Sequence, residues 1–254
     1  MQLNYRRQGQ GVPVMLVHGL FGSLDNLNGL NRALAEHFDV ITVDLRNHGQ
    51  SPRSQQMTYA AMAEDILELS ERLQLDRPVL VGHSMGGKAV MMAAGLAPER
   101  VRALVVADMA PVAYREARHQ NVFAGLQAVI DAGCHHRQDA DAVLAEHVAI
   151  AGVRQFLLKS FVPGEANWRF NVPALRAAYD HIMGWPGLPA PFEGPVLFIK
   201  GSESDYLLPA HQPEVLTQFP HARARVIQGA GHWLHAEKPQ AFNRLVEDFL
   251  RSVS

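Results

Sequence analysis

Gly82-His83-Ser84-Met85-Gly86 follows an apolar run with strand character, Pro78 to Val81, and opens a run with helical character, Lys88 to Leu96. A strand that turns directly into a helix leaves room for almost nothing at the bend. Glycines two residues either side of the serine are needed because a side chain there would collide with the neighbouring strand or helix. The serine itself is held at unfavourable backbone angles with its hydroxyl exposed at the tip of the turn. Ser84 therefore reads as a presented nucleophile.

The flanks give this short pattern its weight. Val14-Met15-Leu16-Val17 is a buried-strand run ending in His18-Gly19-Leu20-Phe21-Gly22-Ser23, a glycine-rich turn of the kind that points backbone N–H groups at an oxyanion. Near the other end, the short strand Arg223 to Gln228 stops at Gly229-Ala230-Gly231-His232, which places a histidine on a loop just beyond a strand. The order HG loop, serine turn, late histidine is the chain order of an α/β-hydrolase.

The segments between these motifs agree with such a fold. From Leu3 to about Ala110, strand-like and helix-like stretches alternate, with a strand at Val40 to Val43, a helix capped by Thr58 and running to about Leu75, and a strand at Val101 to Asp108. That alternation predicts a mostly parallel central sheet flanked by helices. Between Pro111 and Pro195 it stops. Helical patterns at Tyr114 to Ala132, Ala140 to His147, Val153 to Phe161 and Pro173 to Ile182 follow one another, and strand chemistry resumes at Val196 to Ile199. The expected organisation is an α/β-hydrolase core over 1–110 and 195–254, with a helical cap over 111–194 inserted between two sheet strands. Insertions after the carboxyl end of a strand cover the ligand crevice of an α/β sheet.

With 254 residues, 48% of them hydrophobic, the chain is large enough for a core of this kind. A net charge of −2 without a basic run gives no footprint for nucleic acid or an anionic membrane surface, and neither is expected as a partner. One cysteine excludes an internal disulfide framework, and the polar start Met1-Gln2-Leu3-Asn4 lacks signal-sequence character. A cytoplasmic protein is expected.

In acyl transfer, Ser84 would attack a carbonyl and His232 would take its proton and hand it to the leaving group, work suited to an imidazole. Backbone N–H groups of Leu20 and Met85 would hold the oxyanion, with Phe21 as the neighbouring alternative donor or as a lining of the acyl pocket. Two carboxylates compete to orient the histidine. Asp205 lies in Gly201-Ser202-Glu203-Ser204-Asp205, the loop where many α/β-hydrolases carry this residue, but one position later than usual. Asp108 ends the preceding strand at the same face of the sheet and is favoured. Trp185, in the cap, is a candidate lining of the substrate site. Cys134-His135-His136 with Asp139 and Asp141 lacks a second matching ligand pair, so no metal is expected, and Lys88 reads as a snorkelling or structurally paired lysine.

Taken with Asp44-Leu45-Arg46-Asn47-His48-Gly49, Arg169-Phe170-Asn171-Val172-Pro173 and Gly231 to Pro239, these motifs resemble the small bacterial esterases of the YbfF type over nearly the whole chain. The resemblance implies a cofactor-free serine esterase or thioesterase for short acyl groups, acting on a small-molecule ester or thioester. It also implies an acid on the strand preceding the cap, here Asp108. The alternatives are a cofactor-free lyase or carbon–carbon hydrolase using the same Ser84 and His232, and a ligand-binding module without turnover.

Overall fold

The computed structural model describes residues 1–165 and 167–254. Seven strands form one sheet in the order β1-β3-β2-β4-β5-β8-β9. They are β1 (Tyr5–Gln8), β2 (Pro13–Val17), β3 (Asp39–Val43), β4 (Val79–His83), β5 (Ala103–Ala107), β8 (Val196–Gly201) and β9 (Ala222–Ile227). All pairings are parallel except β1 with β3. The central strands are apolar on both faces and wholly buried, as a sheet covered by helices on both sides requires.

On one face lie α2 (Tyr59–Arg72) and α3 (Met85–Leu96). On the other lie α1 (Asn28–Leu34) and α11 (Pro239–Val253), and two separate apolar cores fill the space between helices and sheet. Thr58 caps α2 by accepting the Ala61 N–H at 3.2 Å. The amphipathic α11 buries Phe242, Val246 and Leu250 at helical spacing. The short α9 (Gln212–Gln218) and α10 (Leu234–Glu237) complete the second half.

The chain between β5 and β8 contains α4 (Gln120–Asp131), α5 (Arg137–Ala145), α6 (Ala151–Leu158), α7 (Val172–Ala177) and α8 (Tyr179–Met183), with a small hairpin of β6 (Phe161–Val162) and β7 (Asn167–Trp168). Two of its features differ from the pattern of the sequence. Residues 114–119 are not helical: Tyr114 is drawn out by an N–H bond to the Met183 carbonyl at 2.9 Å and by its hydroxyl, which accepts from Ala110 N–H and donates to the Tyr206 carbonyl. These tertiary bonds outweigh a weak local preference. The hairpin takes Phe161 from the end of the third helical pattern, and it is held by Trp168, which is buried by stacking on Phe170 and by an indole N–H bond to the Leu126 carbonyl at 3.1 Å.

Lys88 ties this segment to the helix that follows Ser84. Its side chain is wholly buried, and Nζ donates to the carbonyls of Met183 at 3.2 Å and Gly184 at 2.8 Å, at the end of α8. The Tyr114 ring lies 4.7 Å away and the Tyr59 ring 5.5 Å. Among the described residues no carboxylate pairs with it, and burial lowers its pKa from the ordinary 10.5 to about 7. Between those values the unfolded chain binds one more proton than the folded chain. Stability therefore rises with pH across this window, with a slope of up to about 1.4 kcal/mol per pH unit. The difference in unfolding free energy between the wild type and Lys88→Met, measured in urea from pH 7 to 10, should rise with this slope, because other groups titrating in the window, such as the amino terminus, act equally in both; a constant difference would refute it.

Candidate active site

The functional side chains gather at the carboxyl ends of β2, β4, β5, β8 and β9. Ser84 stands between β4 and α3 at φ 55° and ψ −123°, in the left-handed half of backbone space. A methyl group on Gly82 would overlap the backbone of Gly86 and Gly87. One on Gly86 would overlap the carbonyls of Val17 and His18. The turn is thus wedged between β2 and α3, and the strain at Ser84 is imposed by packing on both sides.

His232 lies between Ser84 and Asp108. Its Nε2 is 2.9 Å from Ser84 Oγ and its Nδ1 is 2.7 Å from Asp108 Oδ2. A carboxylate only accepts, so Nδ1 carries the hydrogen and Nε2 is left to accept from the serine hydroxyl. Asp108 is fully buried at φ 51°, just past the end of β5. It also accepts the Gly201 N–H at 3.1 Å on Oδ1 and the Ser204 hydroxyl on Oδ2. Asp205 goes elsewhere. Its side chain is 68% exposed, and Arg118 Nη1 donates to it at 2.6 Å, which holds the carboxyl below its ordinary value. The residue three places after Gly201 that the sequence offers in the usual acid position, Ser204, is the one that hydrogen-bonds Asp108.

The HG loop is braced from beneath by the turn Asp44 to Ser51. Asp44 accepts N–H groups from Leu24 at 2.7 Å and Gln50 at 2.9 Å. His18 Nε2 accepts the Leu45 N–H at 3.0 Å, so its Nδ1–H donates to the Gly19 carbonyl. His48 Nε2 accepts the Phe21 N–H at 3.2 Å, and its Nδ1–H donates to the Arg46 carbonyl. Desolvation lowers both histidines, His48 to about 3, and both serve as neutral braces. Phe21 therefore has its N–H committed. The Leu20 N–H has no partner among the described residues, and the Met85 N–H belongs to the first turn of α3, where backbone donors lack helical partners.

A cavity of about 440 Å³ opens over Ser84. Its floor is Gly19 to Gly22, Ser84, Tyr206 and His232, and its roof comes from the segment between β5 and β8, including Arg118, His119, Val122, Ile150, Val153 and Phe156. Phe21 lines it and packs against Phe123 and Phe170 at 5.2 Å each. Trp185 requires a correction: it does not line this cavity. Its indole N–H donates to Gln218 Oε1 at 2.8 Å and its ring meets Tyr59 at 5.8 Å, because this end of the segment packs down onto the core around Lys88. No local sequence pattern marks Arg118, His119 and Tyr206, which reach the site from loops. Among the described residues no three metal-ligating side chains form a group, and His135 bonds the Gly164 carbonyl.

This fold, with a strained serine, a histidine and a buried carboxylate at the carboxyl ends of its strands, makes the chain a member of the α/β-hydrolase family, whose model matches residues 12–123. It is a hydrolase. Along its length it is similar to Esterase YbfF of Escherichia coli (strain K12), with 49% identity over 255 residues that cover 98% of this chain and 99% of that one. It is also similar to the sn-1-specific diacylglycerol lipase ABHD11 of Mus musculus, 42% identical over 93% of this chain and 80% of the relative. Among solved structures, a marine microorganism esterase superposes with a TM-score of 0.94 at 34% identity, covering 98% and 99% of the two chains. No helix among the described residues is long and apolar enough to cross a membrane.

The brace under the HG loop can be tested by His48→Phe, which leaves the Phe21 N–H buried without an acceptor. A loss of about 1–3 kcal/mol in unfolding free energy is expected. Calorimetry showing wild-type stability would mean that the loop holds itself.

Proposed function

We propose that this protein is a serine esterase that cleaves carboxylic esters or acyl thioesters through an acyl-Ser84 intermediate. The observation that carries this reading is the unbroken hydrogen-bonded chain from Ser84 Oγ through His232 to Asp108. Ser84 attacks the substrate carbonyl as His232 Nε2 takes the hydroxyl proton, and the resulting imidazolium is stabilised by the Asp108 carboxylate. The oxyanion is met by the N–H groups of Leu20 and Met85. Collapse breaks the acyl bond, and His232 returns the proton to the departing oxygen or sulfur. Water, activated by the same histidine, then releases the acid.

The Ser204 and Gly201 bonds to Asp108 support its place as the acid, since they fix the carboxylate and keep it acceptor-only. The helical segment over residues 111–194 acts as a cap. The cavity beneath it is of ordinary ligand size and favours short acyl groups. Esterase and lipase names among the relatives support an ester as substrate.

Ser84→Ala removes the attacking oxygen and should lower ester turnover by at least ~10³-fold. Rapid-quench mass spectrometry should find an acyl adduct on the wild type and none on the variant; an adduct on Ser84→Ala would displace the nucleophile. The acid is tested by paired exchanges. In the serine-protease triad, replacing the aspartate by asparagine lowers kcat by about 10⁴. Asp108→Asn should lose at least ~10², while Asp205→Asn, at a mostly exposed ion pair, should stay within about tenfold. The opposite ranking in two folded variants would move the role to Asp205.

A further inference from the structure

His119 faces the cavity in a protonation state that its surroundings dictate. The Tyr179 hydroxyl accepts the backbone N–H groups of Arg118 and His119, each at 3.1 Å, and lies 2.9 Å from His119 Nδ1. A hydroxyl has two lone pairs and one hydrogen. With both lone pairs engaged, its hydrogen goes to Nδ1, so that nitrogen accepts and the ring hydrogen sits on Nε2. Burial lowers the His119 pKa to about 4, so the ring is neutral. Nε2 has no protein partner among the described residues, and the residue lines the cavity over Ser84. The result is a fixed, uncharged N–H donor with nothing in the protein to receive it.

Its position relates it to one end of the substrate. Tyr206 stacks on His232 with ring centroids 3.9 Å apart, and the Arg118 guanidinium lies 4.4 Å above the Tyr206 ring. Arg118 therefore lies over the wall that carries His232, and His119 is close enough to His232 for that residue's charge to help lower its pKa, with the Phe21 ring as its other cavity neighbour at 6.1 Å. That wall receives the departing group, because His232 must hand its proton to the leaving oxygen. Resting on the esterase reading above, we propose that His119 is a specificity-determining residue whose Nε2–H donates to a second, uncharged oxygen in the leaving alcohol. Esters of alcohols bearing an ether, hydroxyl or carbonyl oxygen close to the scissile bond are favoured over esters of plain alkanols.

The test uses isosteric pairs and the purified full chain. Butyl butanoate and 2-methoxyethyl butanoate differ by CH₂ against O in the alcohol; butyl butanoate and butyl methoxyacetate differ likewise in the acid. The ratio of kcat/KM within each pair cancels general damage to catalysis. His119→Phe should lower the alcohol-side oxygen preference about three- to tenfold, the worth of one neutral hydrogen bond, and leave the acid-side ratio within about twofold. His119→Gln, which offers an amide N–H near the Nε2 position, should recover most of the preference. Tyr179→Phe, which removes the hydrogen that fixes the tautomer, should lower the same ratio and serves if His119→Phe fails to fold. An unchanged alcohol-side ratio in folded His119→Phe or Tyr179→Phe, a loss confined to the acid side, or no recovery with glutamine would overturn the proposal. A wild type that hydrolyses none of the three esters would instead refute the esterase reading itself.

Discussion

Helix α3 meets the backbone of β2 so closely at Gly86 that no side chain fits between them, and the rest of the site depends on that contact. It fixes where the helix starts, forces Ser84 to φ 55°, and lifts its hydroxyl clear of the sheet. The same approach sets the first turn of α3 against the start of the HG loop, at the carbonyls of Val17 and His18. A residue in a sparsely populated conformation persists only when its surroundings over-determine it. Here the sheet below and the helix above do so, and both are held by cores of wholly buried apolar residues.

A second constraint is the supply of hydrogen-bond partners in a dry interior. His18, His48, His83 and His119 are all pushed below the ordinary histidine range, chiefly by desolvation. Each is then a neutral ring with one donor and one acceptor, and its neighbours choose which nitrogen carries the hydrogen. His18 and His48 spend both nitrogens on the backbone of the HG loop and the Asp44 turn. His83 donates from Nε2 to the His232 carbonyl at 2.8 Å, which steadies the histidine loop from the serine turn itself. His232 differs in having a carboxylate on one side and a hydroxyl on the other. Identical side chains thus take different parts according to what faces them.

Lys88 couples the two halves of the molecule in another way. A buried ammonium with no counter-ion among the described residues is costly, which is why Lys88 gives up its proton more readily than an ordinary lysine, and carbonyl oxygens at the end of α8 and two aromatic faces surround its Nζ in place of water. Tyr114, one of those faces, also bonds the entry of the inserted segment to its exit and to Tyr206 beside His232. The helix that starts at Ser84 is thereby connected to both ends of the segment that roofs it.

The sequence by itself determined the sheet, the serine turn, the HG loop and the late histidine loop, because each is a local pattern: apolar runs of strand length, and glycines where backbones must touch. It also marked residues 111–194 as helical in character. The start of α4, the β6–β7 hairpin and the place of Trp185 were decided by tertiary bonds from Tyr114, Trp168 and Gln218, whose partners lie far away in the chain. So was the geometry of the two aspartates. One residue of spacing separates Ser204 from Asp205 in the chain, but only the folded molecule shows Ser204 turned to Asp108 and Asp205 turned outward to Arg118. His119 and Tyr206 carried no local signal at all, because a cavity wall is assembled from loops whose mutual positions depend on long-range packing.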